Sequence, residues 1–405
     1  MSPGEIDIFD PGHLDDPYPA LARLRARRPV YTVPGTDFHL VTSWELVTEA
    51  AARTADFSSH LTGLLVQQPG GPPATFDMDG GGQAVHVLAT ADDPAHAAHR
   101  KLVLPLLSRR LRTLGPVVER LVERLWDEEL RDDRLEWATG MADRLPLALV
   151  ADLIGLPGAA VPQLLTWAYD STEMLGGVVS AERLPRLVGS AAALAAYLAD
   201  QLAAAKKTVV RENSTLLPIL AGACADGALA DDVAVLMLVQ LIGAGGESTA
   251  GLIANAACVL ATDAGLQRRV RAHPELLPGL LEETLRWESP FRGHHRHVRA
   301  DTRLGGVELA AGSHLLLLWG AANRDPSVFA DPDVFQLERP QVRRHLAFGK
   351  GAHFCVGSAL AKLEATAALT ALLRRSAWIE LAGPAQWVPS IFVRRHARLP
   401  LRIHR

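Results

Sequence analysis

The sequence has little cysteine, almost no excess charge and no apolar run at its N-terminus. Only three of its 405 residues are cysteines, too few for a disulfide scaffold and typical of a reducing compartment. The formal net charge is -4, and no basic run reaches the density that nucleic-acid binding requires. The first residues contain neither a signal-peptide pattern nor an anchor of roughly 20 apolar residues. These absences predict a cytoplasmic protein that binds neither nucleic acid nor a membrane.

The composition that remains is that of a globular protein with a large core. Hydrophobic residues make up 48% of the chain and charged residues 21%. Length alone is compatible with two or three domains. The motifs distributed along the chain decide between these possibilities.

One stretch, residues 345–357, is organised around a single cysteine. Gly349 and Gly351 permit positive φ angles, so the loop can turn tightly and direct backbone N–H groups at the sulfur of Cys355. The helix-forming run after Gly357 places the cysteine just ahead of a helix N-terminus, where the positive dipole end favours a thiolate. A buried structural thiol is one interpretation. A zinc site is disfavoured, because no second Cys/His pair stands at zinc-ligand spacing.

Residues 231–261 predict a long helix that is apolar on nearly every face and therefore crosses the middle of the protein. Gln240, Glu247 and Asn255 interrupt the apolar surface and argue against a membrane span. Three glycines within four positions (243, 245 and 246) each cost about 1 kcal/mol relative to Ala in a helix interior. They indicate either a close approach of backbone to a flat ligand or a local kink.

Glu247 is a carboxylate within this apolar helix, and burying it unpaired would be costly. One interpretation is an ion pair with an arginine that is distant in the sequence. The other is a proton relay, because the hydroxyls of Ser248 and Thr249 follow directly.

A second charged segment precedes the middle of the chain. Asp92 or Asp93 should cap a helix that has Pro94 in its first turn. His96 and Arg100 are four residues apart and then share one face, which suits a bound carboxylate. A solvated surface pair is the alternative.

Three motifs together resemble one family. Phe348-Gly-Lys-Gly-Ala-His-Phe-Cys355 fits the pattern FGxGxHxC and resembles the haem-binding loop of the cytochrome P-450 family. Ala244-Gly-Gly-Glu-Ser-Thr249 resembles the acid–alcohol motif of that family. Glu283-Thr-Leu-Arg286 matches its ExxR motif, although a surface ion pair is the general alternative for that spacing. Because the motifs stand in family order over nearly the whole chain, the resemblance implies a single P-450 domain at 1–405, mainly α with a small β region.

The resemblance implies that Cys355 is the axial thiolate ligand of the iron of haem b, a ligand that favours O–O cleavage. It places the haem between the distal helix 231–261 and the loop 345–357. Glu283 and Arg286 would form a buried structural ion pair, and His96, Arg100, Arg296 and His345 would hold the haem propionates. The residues assigned to cofactor binding are His96, Arg100, Ala244, Gly245, Arg296, His345, Phe348, Gly349, Cys355 and Gly357.

The implied catalytic groups are Glu247, Ser248 and Thr249, as a relay that delivers protons for dioxygen activation. The sequence departs from the family at Ser248, where threonine is usual. Serine keeps the hydroxyl but lacks the β-branch that limits side-chain rotamers. Proton delivery should therefore be retained, while tight coupling of electrons to product is not assured.

By position, residues 58–92 correspond to the family's distal substrate loop. The polar residues among the candidates could meet a polar or anionic group of the substrate. The candidates for substrate contact are Leu64, Phe76, Met78, Phe291, Arg292, His294, His295, Ile391 and Phe392.

The implied activity is that of a monooxygenase, which activates dioxygen reductively and oxidises a small organic or natural-product-like substrate of secondary metabolism. Electrons would come from NAD(P)H through ferredoxin reductase and ferredoxin. A basic patch near the Cys355 face would steer the acidic ferredoxin. Its members are Lys101, Arg109, Arg110, Arg112, Arg343, Arg344 and Lys350.

Two alternatives stay open. The same haem chemistry could couple or cyclise a substrate without inserting oxygen. The serine at position 248, in place of the usual threonine, makes this alternative less remote. A haem gas sensor or binder is disfavoured, because such a protein would be expected to carry an output domain or a histidine ligand to the iron, and the sequence shows neither. The sequence does not identify the substrate.

Overall fold

The computed structural model describes residues 6–68, 70–207 and 215–405. Residue 69 of the predicted distal loop lies outside the described residues, as do residues 208–214. The described α-helices are, in chain order, α1 Pro11–Asp15, α2 Tyr18–Arg27, α3 Trp44–Ala52, α4 Ala95–Leu111, α5 Gly115–Glu129, α6 Arg144–Ile154, α7 Val161–Glu173, α8 Leu184–Lys207, α9 Leu216–Ala225, α10 Asp231–Thr262, α11 Ala264–Ala272, α12 Leu277–Trp287, α13 Trp319–Ala322 and α14 Ser358–Arg374.

Within the described part of the chain, fourteen short strands form small sheets. The largest sheet has the order β1-β2-β10-β7-β3, with β2 and β10 parallel and the other neighbours antiparallel. A separate hairpin joins β4 to β5. The strands are β1 Val30–Thr32, β2 Phe38–Val41, β3 Phe57–Ser58, β4 Gly63–Val66, β5 Ala74–Asp77, β6 Arg134–Glu136, β7 His294–Val298, β8 Thr302–Leu304, β9 Val307–Leu309, β10 His314–Leu317, β11 Trp378–Leu381, β12 Gln386–Trp387, β13 His396–Arg398 and β14 Pro400–His404.

Helix α10 is the central element, as its apolar sequence predicts. It packs against α6, α7, α8, α12 and α14, so that apolar side chains are covered on several faces at once. Asp231 and Asp232 lie in its first turn, where carboxylates interact favourably with the helix dipole. Both α8 and α10 are long and apolar enough to cross a membrane by length and composition. That is weak evidence for a span, because a helix buried in a protein core passes the same test.

The predicted helix 231–261 is confirmed to within one residue, because α10 ends at Thr262. Helix α4 corrects a prediction: its N-cap is Pro94, and the helix begins at Ala95. Asp93, which precedes the proline, still satisfies a backbone donor at the N-terminus of α4, because its Oδ1 accepts a hydrogen bond from the N–H of Ala97 at 3.1 Å.

The ExxR pair is fully buried, so the surface-pair alternative is wrong. Glu283 accepts from Arg286 Nε and Nη2, both at 2.7 Å, and neither side chain is exposed. Arg339 Nε lies 3.0 Å from the same carboxylate. Arg286 also donates to the carbonyl of Asn323 at 3.0 Å. The pair thereby fastens α12 to the segment that leads to the cysteine loop.

Asn323 carries this attachment into the loop itself. Its side-chain oxygen accepts from the N–H of Leu346 at 2.6 Å, and its Nδ2 donates to Ser289 Oγ at 2.8 Å. The start of the cysteine loop is therefore held by the same buried network as the ion pair.

Glu283→Gln should lower the free energy of unfolding by about 3 kcal/mol or more, because two buried guanidinium groups lose their counter-charge. Glu308→Gln is the matched control, since Glu308 pairs with Arg303 at an exposed site, and it should change stability by less than about 0.5 kcal/mol. Denaturant unfolding of both variants measures the difference. Equal effects would contradict the role of the buried pair.

Candidate active site

A large cavity lies between α10 and the loop that carries Cys355. It contains about 1660 Å³ free of protein atoms, which includes space continuous with solvent. The walls come from α4, α6, α10, β7, the cysteine loop and α14. The predicted site residues that line it are His96, Arg100, Ala244, Gly245, Ser248, Thr249, Phe291, His294, Arg296, Phe348, Gly349, Cys355 and Gly357.

The cysteine loop has the tight backbone that its glycines predict. Gly349 and Gly351 have φ angles of 69° and 72°, in the left-handed region. The N–H of Cys355 donates to the carbonyl of Phe348 at 2.9 Å, which closes the loop. Helix α14 begins three residues after the cysteine, at Ser358.

The sulfur receives backbone hydrogen bonds, but from other residues than the loop glycines. Burial raises the pKa of the Cys355 thiol, while N–H donors of Gly357 and Ser358 and the charge of Arg100 act in the opposite direction. The donors therefore belong to the start of α14 and not to the turn before the cysteine. A sulfur supported in this way suits a metal-bound thiolate.

One side of the cavity carries Arg296 and Arg100, which form no ion pair with any of the described residues. Arg296 is 5% exposed, and its only hydrogen bond among the described residues goes to the carbonyl of His295 at 2.7 Å. Burial lowers the pKa of Arg296 to about 10, with Asp92 opposing the shift. Arg100 reaches the same wall and donates to the carbonyl of Phe354 at 3.0 Å. A buried guanidinium such as that of Arg296, which pairs with no carboxylate among the described residues, fits an anionic ligand.

His353 completes this wall and was not predicted. Its ring lies 4.0 Å from that of buried His96, and its Nδ1 is buried without a hydrogen-bond partner. Burial, together with Arg296, lowers the pKa of His353 to about 4, so the ring is neutral at pH 7. Nε2 is 3.0 Å from Ser59 Oγ. If that hydroxyl donates, Nδ1 carries a proton that can be donated to a carboxylate. The sequence contained the signal, because this histidine is a fixed position of FGxGxHxC.

His345 requires a correction. It does not line the cavity, and its Nε2 is 2.9 Å from Glu282 Oε2. Its Nδ1 accepts from the N–H of Ala347 at 3.2 Å. Both ring nitrogens are therefore engaged by protein groups, and His353 lines the cavity where His345 does not.

Ser248 and Thr249 line the cavity, whereas Glu247 does not. Successive residues of a helix point about 100° apart, so the carboxylate faces a different side of α10. Glu247 Oε1 is 2.7 Å from Arg395 Nε, and its buried Oε2 has no hydrogen-bond partner among the residues that the structure describes. The ion-pair interpretation therefore describes the observed position. Ser248 Oγ donates to the carbonyl of Ala244 at 2.8 Å.

A second carboxylate lies on the far side of Arg395. Arg395 Nη1 is 3.9 Å from Asp143 Oδ1, which accepts from the hydroxyl of Tyr169 at 2.8 Å. Burial raises the pKa of Asp143 to about 6, and Arg395 opposes the shift. Two buried acids thus share one guanidinium.

The three candidates in the distal loop lie outside the cavity. Leu64 and Phe76 pair across the hairpin of β4 and β5; Leu64 is buried in the core, and Phe76 is 47% exposed to solvent. Met78 follows this hairpin, with its N–H donating to the carbonyl of Thr62 at 2.9 Å. The prediction failed because the hairpin pairs with itself, while Leu88 and Ala89 at the end of the loop line the cavity.

Of the candidates after α12, only Phe291 and His294 line the cavity. His295 points to the other face of β7 because side chains alternate along a strand, and it packs against Phe38 at 6.0 Å. Arg292 is buried and donates to the carbonyl of Leu14 at 2.5 Å. It therefore faces away from any substrate, which corrects the expectation of an anionic contact.

Ile391 and Phe392 are buried and also lie outside the cavity wall. The ring of Phe392 is 4.9 Å from that of Phe291, so it supports the wall from behind. The N–H of Ile391 donates to the carbonyl of Gly176 at 3.1 Å. Lining residues that the motifs did not predict include Leu88, Ala89, Val150, Leu153, Ile154, Leu216, Gln240, Leu241, Pro290 and Trp319.

A mainly helical body that encloses a cavity between a central helix and a cysteine loop defines a haem-thiolate protein. The family model "Cytochrome P450" matches residues 227–387. Cytochrome P450 144 of Mycobacterium tuberculosis is 48% identical over 397 residues, which cover 98% of this chain and 91% of that protein. The beta-dihydromenaquinone-9 omega-hydroxylase of Mycobacterium bovis is 32% identical over 396 residues, which cover 98% of this chain and 78% of that protein.

The solved structures agree. CYP109E1 from Bacillus megaterium in complex with testosterone superposes with a TM-score of 0.84 at 26% identity, covering 97% of this chain and 99% of that chain. The chain belongs to the cytochrome P450 family, and it is an oxidoreductase of the monooxygenase type. The predicted fold is confirmed.

Arg296→Met should increase the rate of haem loss roughly tenfold or more, because a buried cation facing the cavity no longer offsets a propionate charge. The apoprotein should be no less stable, since the variant also removes an unpaired buried charge. Arg299→Met is the control, because this nearby cation pairs with Asp92 and is 44% exposed. Transfer of haem to excess apomyoglobin measures the rate. An unchanged rate in Arg296→Met would contradict the propionate role.

Proposed function

We propose that Cys355 ligates the iron of haem b and that the enzyme hydroxylates a small, largely apolar organic molecule. The observation that carries this proposal is that one cavity joins a sulfur supported by two backbone donors, an uncompensated cationic wall and the hydroxyl-bearing face of α10. Arg100, Arg296, His96 and His353 would hold the propionates. When bound, the haem supplies the redox chemistry that reduces dioxygen and transfers one oxygen atom.

The substrate side of the cavity supports an apolar substrate. Leu, Val and Ile side chains of α6 and α10 form much of this wall, and Gln240 is already hydrogen-bonded to protein. The relatives are compatible with this class, since one is named for hydroxylating a menaquinone and one was solved with testosterone. The fold does not determine which substrate a protein of this family oxidises, so the substrate of this enzyme has to be found by direct screening.

His294 supplies one polar contact to that wall. Trp319 Nε1 donates to His294 Nδ1 at 2.7 Å, and an indole N–H can only donate. Nδ1 is therefore the acceptor, and Nε2 carries the proton. Burial lowers the pKa of His294 to about 3, so the ring is a neutral donor at pH 7. A substrate with a carbonyl, ether or hydroxyl oxygen fits this group better than a carboxylate does.

Ser248 and Thr249 would pass protons to the reacting oxygen, with Glu247 as their source. Glu247 must turn from Arg395 toward the cavity to do so, and its unpartnered Oε2 makes one half of the carboxylate available. Asp143 competes for the same guanidinium and so lowers the cost of releasing Glu247. The three residues on α10 thus act as one relay.

Electrons would come from NAD(P)H through ferredoxin reductase and ferredoxin, in the cytoplasm. Leu104, Leu107 and Leu111 of α4 line the same small pocket as Val356 and Leu360, which lie just after Cys355 and in α14. The basic residues of α4 therefore lie on the same side as Cys355. Lys101, Arg109, Arg112, Arg343, Arg344 and Lys350 are exposed, and Arg110 pairs with Asp152.

The position of the Ser248 hydroxyl keeps oxidative coupling as a second candidate. It donates to the helix backbone instead of pointing freely into the cavity, which weakens the case for efficient proton delivery. Turnover under ¹⁸O-labelled dioxygen separates the two functions. A product heavier by one labelled oxygen supports hydroxylation; a product without label, formed at the expense of dioxygen, supports coupling.

Ser248→Thr should raise the yield of product per NAD(P)H, because the added methyl group restricts the rotamers of the hydroxyl. Ser248→Ala should lower that yield and release more hydrogen peroxide. Ser171→Ala is the control, since Ser171 Oγ also donates to its own helix backbone, at 2.7 Å, but does not line the cavity. Peroxide and NAD(P)H are measured together with a compound that the enzyme oxidises. Equal coupling in all three variants would contradict a role of Ser248 in the relay.

A further inference from the structure

The turn Leu88–Thr90 forms part of the cavity wall in a strained conformation. Leu88 and Ala89 both line the cavity. Leu88 has a φ angle of 43°, in the left-handed region that leucine rarely adopts. Its apolar side chain offers no local hydrogen bond that would offset the strain. The surrounding structure must therefore hold the turn in place.

Two side chains from two helices hold it. Gln240 of α10 accepts from the N–H of Ala89 at 2.7 Å through Oε1. His99 of α4 accepts from the N–H of Leu88 at 3.3 Å through Nδ1. The consecutive N–H groups of Leu88 and Ala89 are thus hydrogen-bonded to two different helices, α4 and α10.

The bond to Gln240 positions the turn and is not needed to satisfy a buried donor. Ala89 is exposed although it lines the cavity, so water can reach its N–H. Water in place of Gln240 would satisfy the amide but would leave the turn free to move away from α10. Gln240 itself is a polar residue in an apolar helix, and its second contact is with the turn too, at 3.5 Å from Thr90 Oγ1.

We infer that Gln240 is a specificity-determining positioning residue: together with His99 it holds the turn Leu88–Thr90 against α10 and so limits the size of the molecule that the cavity admits. The inference rests on the proposed haem function, because it concerns the substrate side of the same cavity. Gln240 acts through the turn and does not itself have to touch substrate.

The test compares a small and a bulky azole that bind the same iron. Imidazole and clotrimazole both shift the Soret band of the haem-loaded enzyme through an imidazole nitrogen. Because they share this group and differ in bulk, the ratio of their affinities reports how much space the cavity offers above the haem. Gln240→Leu keeps the side-chain size but removes the acceptor. It should tighten clotrimazole binding by roughly threefold to tenfold, the range that one hydrogen bond contributes, while imidazole stays within about twofold.

Gln240→Glu is the matched variant, because it retains an acceptor oxygen and should leave the ratio near that of the parent enzyme. Hydrogen exchange of the peptide that contains Leu88–Thr90 should accelerate in Gln240→Leu and not in Gln240→Glu. If Gln240→Leu does not load haem, His99→Leu against His99→Asn tests the other support, since the Asn oxygen can replace Nδ1.

Unchanged azole ratios and unchanged exchange in the Leu variants would overturn the inference. So would an equal change in the variants that keep an acceptor. Failure of the haem proposal looks different: neither azole would then shift the spectrum of the parent enzyme, whereas the exchange measurement would still report on the turn.

Discussion

The proposed ligation by Cys355 sets the constraint on which the rest of the structure depends, because a partly buried sulfur would then carry negative charge. Burial alone raises the pKa of the Cys355 thiol and disfavours the thiolate. The N–H groups of Gly357 and Ser358, at the start of α14, oppose this cost. Their geometry depends in turn on the loop before the cysteine, which Asn323 ties to the buried pair of Glu283 and Arg286. The ion pair is therefore a support for the site at a distance from it.

Helix α10 meets a second constraint, which is to place polar groups inside an apolar core. Each polar interruption has a specific partner. Gln240 binds the turn at Ala89, Glu247 binds Arg395, and Asn255 donates to backbone carbonyls on the neighbouring segment. The glycines serve packing as well: a Cβ on Gly245 would lie 2.6 Å from a methyl group of Val150 on α6. The helix is continuous from Asp231 to Thr262. Gly245 therefore does not mark a break in the helix; it allows the backbone to approach both α6 and the cavity.

Sequence patterns predicted the parts of the site that are fixed by local backbone or by one helix face. The cysteine loop and α10 follow from glycine placement and apolar patterning, whereas the burial of the ExxR pair was implied by the resemblance to the family, and all three are found where predicted. Contacts between segments far apart in the chain were not predictable in the same way. Nothing near Glu247 in the sequence points to Arg395, and the pairing of Leu64 with Phe76 in a hairpin removes both from the cavity. His353 stands inside the predicted motif, yet choosing it over His345 required knowing that Glu282 engages the latter.

A carbon monoxide difference spectrum of the reduced, haem-loaded protein tests the ligation by Cys355 most directly. Thiolate ligation predicts a strongly red-shifted Soret band in the native protein, and loss of that band in Cys355→His. A native band at the position typical of histidine-ligated haem would contradict it, because the sulfur would then not bind the iron.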